Sequence, residues 1–196
     1  MKTVYIHGAT ASERSFAFIQ KSICAKHPVY LNYNKEGNAS DNLIEMIAML
    51  DNIEGPFFII AHSLGGVYAT YLQQHFDSVT GVVSLATPFN GSELATWGSI
   101  FNQHYQLFKD IRPTSDFIRN SRSIDIKCPW TQVVTTVGDV PWIQGTNDGI
   151  VTHSSMTYRS DVEYIEVDRN HYEVVLSQRS VDVIKTCRDR VSTPSK

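Results

Sequence analysis

The 196-residue chain has 42% hydrophobic and 19% charged residues, enough apolar material for one domain with a core of its own. Its formal net charge of -3 leaves no basic footprint for nucleic acid, and no polybasic segment points to a membrane surface. Apolar runs reach only four or five residues, too short to span a bilayer. Lys2 precedes only a four-residue β-type run, so the start does not read as a signal peptide and the expected location is cytoplasmic. Cys24, Cys128 and Cys187 stand in no C-x-x-C or Cys/His metal spacing and read as buried, reduced thiols.

Taken in order, the chain alternates strand-like and helix-like stretches. TVYI (3–6) is a β run ending at His7-Gly8, and residues 14–27 have helical spacing with Phe18, Cys24 and Ala25 among the apolar positions. VYLNY (29–33) is a strand. Residues 41–53 form a helix with Leu43, Ile44, Ile47, Leu50 and Ile53 on one broad face and Ser40 or Asp41 as N-cap. PFFIIA (56–61) is continuously apolar, as suits a strand buried on both faces of a parallel sheet, and a helix follows over 64–76. Further strands are expected at 79–86, 131–138 and 162–167, and a last helix over 172–188. This alternation predicts a three-layer α/β/α sandwich, one domain over 1–196, with a mainly parallel sheet of about six strands.

The segment 88–129 breaks that rhythm and reads as an insertion. Leu94, Trp97, Phe101, Tyr105 and Phe108 fall on one helical stripe, which either packs on the body or caps a site; Trp97, Phe101, Tyr105 and Phe108 are the candidate substrate contacts.

Ser63 stands in AHSLGG, between the expected buried strand and its helix. A serine on so sharp a turn needs small residues two places before and after it, and Ala61 and Gly65 supply them. The alternative is that Ser63 caps the helix. A nucleophilic serine needs a base, and the base an orienting acid. His171, in the loop between the last strand and the last helix, is the favoured base; His153 is the rival, with His75 on a helix and His104 in the insertion. Asp148, in an Asp-Gly turn after the 131–138 strand, is the favoured acid, with Asp139 and Asp168 as rivals. Ala9, after the first strand, and Leu64, at the helix start, are the expected oxyanion donors, and His7 could fix the loop that holds Ala9.

In these motifs, IHGAT, AHSLGG, NDGIV and NHYEVV in that order, the chain resembles the α/β-hydrolase superfamily. LATPFNGSELA (85–95) and RPTSDFIRN (112–120) resemble segments of small bacterial lipases and GPI inositol-deacylase-like esterases. The resemblance implies Ser63 as nucleophile, Asp148 as acid, His171 as base, and Ala9 and Leu64 as the oxyanion hole. It departs in having Ala61 where the elbow usually has glycine, and in lacking two leading antiparallel strands. The implied activity is esterase- or lipase-like hydrolysis of an apolar acyl ester without metal or cofactor. An acyltransferase or thioesterase would use the same residues, and a non-catalytic binding protein on a hydrolase body is the reading of a different class.

Overall fold

The computed structural model describes residues 1–93, 106–141 and 143–192. Its strands are β1 (Lys2–Ile6), β2 (Pro28–Leu31), β3 (Phe57–His62), β4 (Val79–Leu85), β5 (Trp130–Thr135) and β6 (Glu163–Val167). They form one sheet in the order β2-β1-β3-β4-β5-β6, and every neighbouring pair is parallel. The order reverses between β1 and β3, so a crevice opens there at the carboxyl ends of the strands. The register aligns those ends: Ile6 pairs with Ala61, and His62 with Leu85. His7, Ser63 and Ala86 therefore leave the sheet side by side.

All six residues of β3 are buried, and alternate side chains enter different layers. Phe57, Ile59 and Ala61 pack with Met46 and Leu50 of α2 (Ala39–Leu50) and with Val67 and Leu72 of α3 (Leu64–His75). Phe58 and Ile60 pack with Ile19 and Ile23 of α1 (Ala17–Ile23) and with Val181 and Ile184 of the final helix, Gln178–Ser192. The three-layer α/β/α architecture is that predicted. Among the described residues no helix is long and apolar enough to cross a membrane.

Several local expectations are corrected. The first helical stretch is split into a 3-10 turn, Glu13–Phe16, and α1, which ends where Cys24 takes a left-handed φ of 47°. Cys24 is consequently exposed, while Cys128 is half-buried and Cys187 buried, all three free. α2 is capped by Asn38 rather than Ser40 or Asp41, its side chain accepting the Asp41 N–H. Ile44 lies 65% exposed, outside the inward stripe of Asn42, Met46 and Leu50. Asn42 can take a buried place because it bonds the Asn34 backbone and the Tyr68 hydroxyl. At the other end of the chain, Ser177 adopts extended backbone between a 3-10 turn (Glu173–Leu176) and the final helix, which starts at Gln178 rather than near Tyr172. β5 stops at Thr135 instead of running to Gly138, whose φ is +124°.

Candidate active site

Ser63 joins β3 to α3 with φ 53° and ψ −125°, a conformation that glycine tolerates and other residues rarely adopt. The surroundings enforce it. The Ser63 N–H donates to the Leu85 carbonyl at 2.8 Å, and the Gly66 N–H to the Ser63 carbonyl at 3.0 Å. The turn is possible only because two glycines follow Leu64 in the first turn of α3. A Cβ on Gly65 would stand 2.1 Å from the Ile6 carbonyl oxygen, and one on Gly66 1.9 Å from Thr87 Oγ1. The Ser63 side chain makes no capping hydrogen bond, so the helix-cap alternative does not describe this geometry.

Its hydroxyl instead meets His171. Ser63 Oγ lies 3.0 Å from His171 Nε2, and His171 Nδ1 lies 2.8 Å from Asp148 Oδ2. An ionised carboxylate only accepts, so Nδ1 carries the imidazole proton and Nε2 offers a lone pair to the serine hydroxyl. The structure thus brings Ser63, His171 and Asp148 together from the loops after β3, β6 and β5. His171 and Asp148 are both buried, and their backbones are tied as well, the His171 N–H donating to the Asp148 carbonyl at 3.2 Å.

Asp148 is held by a full set of donors. Oδ1 accepts the N–H groups of Ile150 (3.0 Å) and Val151 (2.8 Å), and Oδ2 accepts the Thr135 hydroxyl at 2.5 Å beside His171. Burial by itself would raise its pKa, but the hydrogen bonds and charge of His171, with those of Thr135 and Val151, outweigh it and hold the carboxyl below its ordinary value. Thr135 is a residue that the sequence reading missed: a threonine at a strand end has the same signature whether it packs or orients a carboxylate.

The rival residues that the structure describes lie apart from this hydrogen-bonded chain. Asp139 is exposed, and its carboxylate accepts the Asn147 N–H at 2.8 Å within its own loop. Asp168 is exposed beyond the end of β6. His153 Nε2 pairs with Glu166 at 3.0 Å, and His75 ends α3. His104 lies outside the described residues, as do Trp97, Phe101 and Tyr105 of the expected substrate stripe.

A cavity of about 260 Å³ opens over Ser63. Gly8, Ala9, Thr10 and Ala11 line one side, and Pro88, Phe108, Ile111, Ile150, Val151 and Tyr172 supply most of the remaining wall. The described lining contains no Asp, Glu, Lys or Arg. Ala9 and Phe108 both line this cavity, and Leu64 is the first residue of α3, whose N–H has no acceptor one turn earlier in the helix. The loop carrying Ala9 is tied down by Tyr33, whose hydroxyl donates to the His7 carbonyl at 3.0 Å, and by His7 Nδ1, 2.8 Å from the Gly8 carbonyl oxygen. Among the described residues no three His, Cys, Asp or Glu side chains converge as a metal-holding group.

The fold recurs in solved structures of low sequence identity. The mature form of the lipase BlEst2 from Bacillus licheniformis matches with a TM-score of 0.74 at 14% identity, over 97% of this chain and 91% of that one. A metagenomic carboxyl esterase, MGS0156, matches with a TM-score of 0.76 at 12% identity, over 98% and 75%. Alpha/beta hydrolase domain-containing protein 10 from mouse matches with a TM-score of 0.66 at 14% identity, over 97% and 89%. These likenesses show the α/β-hydrolase fold. No curated protein matches the sequence. The model of one family, described as Uncharacterised protein family (UPF0227), matches residues 2–188.

Proposed function

The chain belongs to that family, UPF0227, and has the α/β-hydrolase fold, and we propose that it is a serine hydrolase of carboxylic esters. A fold of this kind hosts many chemistries, so the site has to carry the reading. The single observation that does so is the continuous Ser63–His171–Asp148 hydrogen-bond chain, with the serine on a strained turn beside a cavity whose described lining carries no Asp, Glu, Lys or Arg. That two of the solved structures of like fold are a lipase and a carboxyl esterase is in keeping with it.

In this mechanism His171 Nε2 takes the Ser63 proton as Oγ attacks the ester carbonyl carbon. The carbonyl oxygen becomes an oxyanion and is received by the N–H groups of Ala9 and Leu64, with the N-terminal end of α3 adding its dipole. Asp148 stays ionised and stabilises the imidazolium. His171 then returns the proton to the departing alcohol, leaving an acyl ester on Ser63. Water attacks that ester with His171 again as base, and the carboxylic acid leaves. The substrate is an uncharged apolar acyl ester, because an acyl carboxylate or ammonium would be desolvated here without an opposite charge among the described lining residues.

Fluorophosphonate labelling tests the proposal. The folded protein should label at Ser63, and Ser63→Ala should not. Folded wild-type protein that fails to label, or label that survives Ser63→Ala, rejects it. Among p-nitrophenyl esters, neutral acyl chains should be cleaved faster than a succinyl chain of similar length.

A further inference from the structure

The reaction above uses one buried imidazole, that of His171, and leaves two others, those of His7 and of His62, the residue immediately before Ser63. His62 ends β3 and is buried. Its Nε2 lies 2.9 Å from the carbonyl oxygen of His171. A carbonyl only accepts, so Nε2 carries the proton and Nδ1 is a bare lone pair. That Nδ1 is buried and meets no hydrogen-bond partner among the described residues. On that side the ring lies against the loop after β1: a Cβ on Gly8 would come 3.2 Å from His62 Nδ1 and 3.0 Å from the Ser63 Cβ. The ring is therefore wedged between the loop that carries Ala9 and the loop that carries His171. A phenyl ring would fill the same space without burying an unpaired nitrogen. What the imidazole adds is the donor at Nε2.

We infer that His62 is a positioning residue for the proposed hydrolysis: through its Nε2–H it holds the main chain of His171, and so the base, at a set distance from Ser63 and from the oxyanion loop. The inference rests on the hydrolase reading. The centroids of the His62 and His171 rings are 5.1 Å apart, so the support is useful only if His62 stays neutral when His171 takes up the serine proton. The titratable groups facing it are His171 and Asp148, from the loops after β6 and β5, and His7, from the end of β1. Burial chiefly, then repulsion from His171, pushes the His62 imidazolium down to about 3, against the favourable backbone hydrogen bond and the Asp148 charge. The ring is thereby uncharged throughout the range in which an esterase works, and the His171 carbonyl holds its one proton on Nε2.

Substitution separates this role from simple filling of space. A glutamine places an amide N–H near the position of imidazole Nε2, an asparagine places one near Nδ1, and a leucine has none. Turnover of p-nitrophenyl butyrate is measured per site titrated with a fluorophosphonate, so that misfolded protein does not count. His62→Leu and His62→Asn should lower kcat about tenfold to a hundredfold with KM little changed, as expected of a base shifted by a fraction of an ångström, and His62→Gln should recover most of the loss. A normal kcat per titrated site in His62→Leu overturns the inference, and so does a His62→Gln as slow as His62→Leu. Wild-type protein that does not label strikes the hydrolase reading instead. If the variants do not fold, ring 15N spectra of the wild-type protein decide. A neutral His62 with its proton on Nε2 from pH 5 to pH 9 supports the assignment; a proton on Nδ1, or titration within that range, overturns it.

Discussion

Ser63 and Asp148 stand at the two ends of one hydrogen-bonded chain and are held by opposite means. Ser63 is placed by its backbone, which is locked at φ 53° between β3 and α3, while its side chain meets His171 as its hydrogen-bond partner among the described residues. Asp148 is placed by its side chain, which accepts from His171, Thr135 and two backbone N–H groups. The difference separates two kinds of vulnerability. At the elbow the serine side chain can be changed without disturbing the fold, but its neighbours cannot gain an atom. At Asp148 the backbone is confined too, since a Cβ on Gly138 would come 2.5 Å from the Asp148 carbonyl oxygen, but there the carboxylate itself cannot lose its charge without upsetting the donors gathered round it.

The contrast is tested first at the serine. Ser63→Ala removes the reacting atom and keeps the Cβ, so hydrolysis should fall by about 10⁵-fold or more while stability stays within about 1 kcal/mol. An equal loss of folding in a urea titration would show that the hydroxyl, not the backbone, holds the turn. Asp148→Asn should follow, lowering kcat by about 10³- to 10⁴-fold because an amide in this place no longer fixes the imidazole tautomer. Asp139→Asn, on the exposed carboxylate, should leave kcat within about threefold, in line with the small effects of surface substitutions. The reverse ranking of these two would exchange the roles assigned to the aspartates.

Next comes Gly65→Ala. Alanine gains about 1 kcal/mol in helix propensity, but its Cβ would meet the Ile6 carbonyl of a central strand at 2.1 Å. Backbone cannot swing aside as a side chain can, so a net loss of about 1–3 kcal/mol in urea unfolding is expected, against no loss if the elbow is slack.

The smallest effect is the pH dependence of stability at Asp148. Its carboxyl is held below the ordinary 3.8, so it adds stability above that value and loses it as pH falls through the lower, folded one. The stability gap between wild type and Asp148→Asn should therefore be constant near neutrality and narrow below about pH 4, measured by denaturant unfolding at each pH. A gap that widens in acid would mean that the carboxyl is not held down by its donors.

Much of this arrangement was legible from residues close together in the chain. The continuous apolar run Phe57–Ala61 announced a strand buried on both faces, and the small residues flanking Ser63 announced a tight turn, because both are demands of local backbone geometry. The expected caps of α2, Ser40 or Asp41, lie two and three residues past the actual one, since Asn38, Ser40 and Asp41 are all good capping types and only the course of the chain decides which one leaves the helix. Ile44 looked like a core residue by type and proved 65% exposed, while the polar Asn42 took the inward place because Asn34 and Tyr68 stand ready to bond it. The insertion stripe was a stripe by spacing alone, and of its proposed contacts only Phe108 falls among the described residues, where it lines the cavity.

The order of the strands and helices, a tight turn at Ser63 and a short set of candidate acids and bases are readable along the chain, because periodicity, small residues and turn chemistry act over a few residues. It took the folded sheet to set the Asp148 carboxylate, and not that of Asp139, on the His171 imidazole, to set Thr135 on that carboxylate and to put His62 under the carbonyl of His171. Those contacts join loops 13 to 109 residues apart, and they exist only because a parallel sheet brings the carboxyl ends of its strands to one edge.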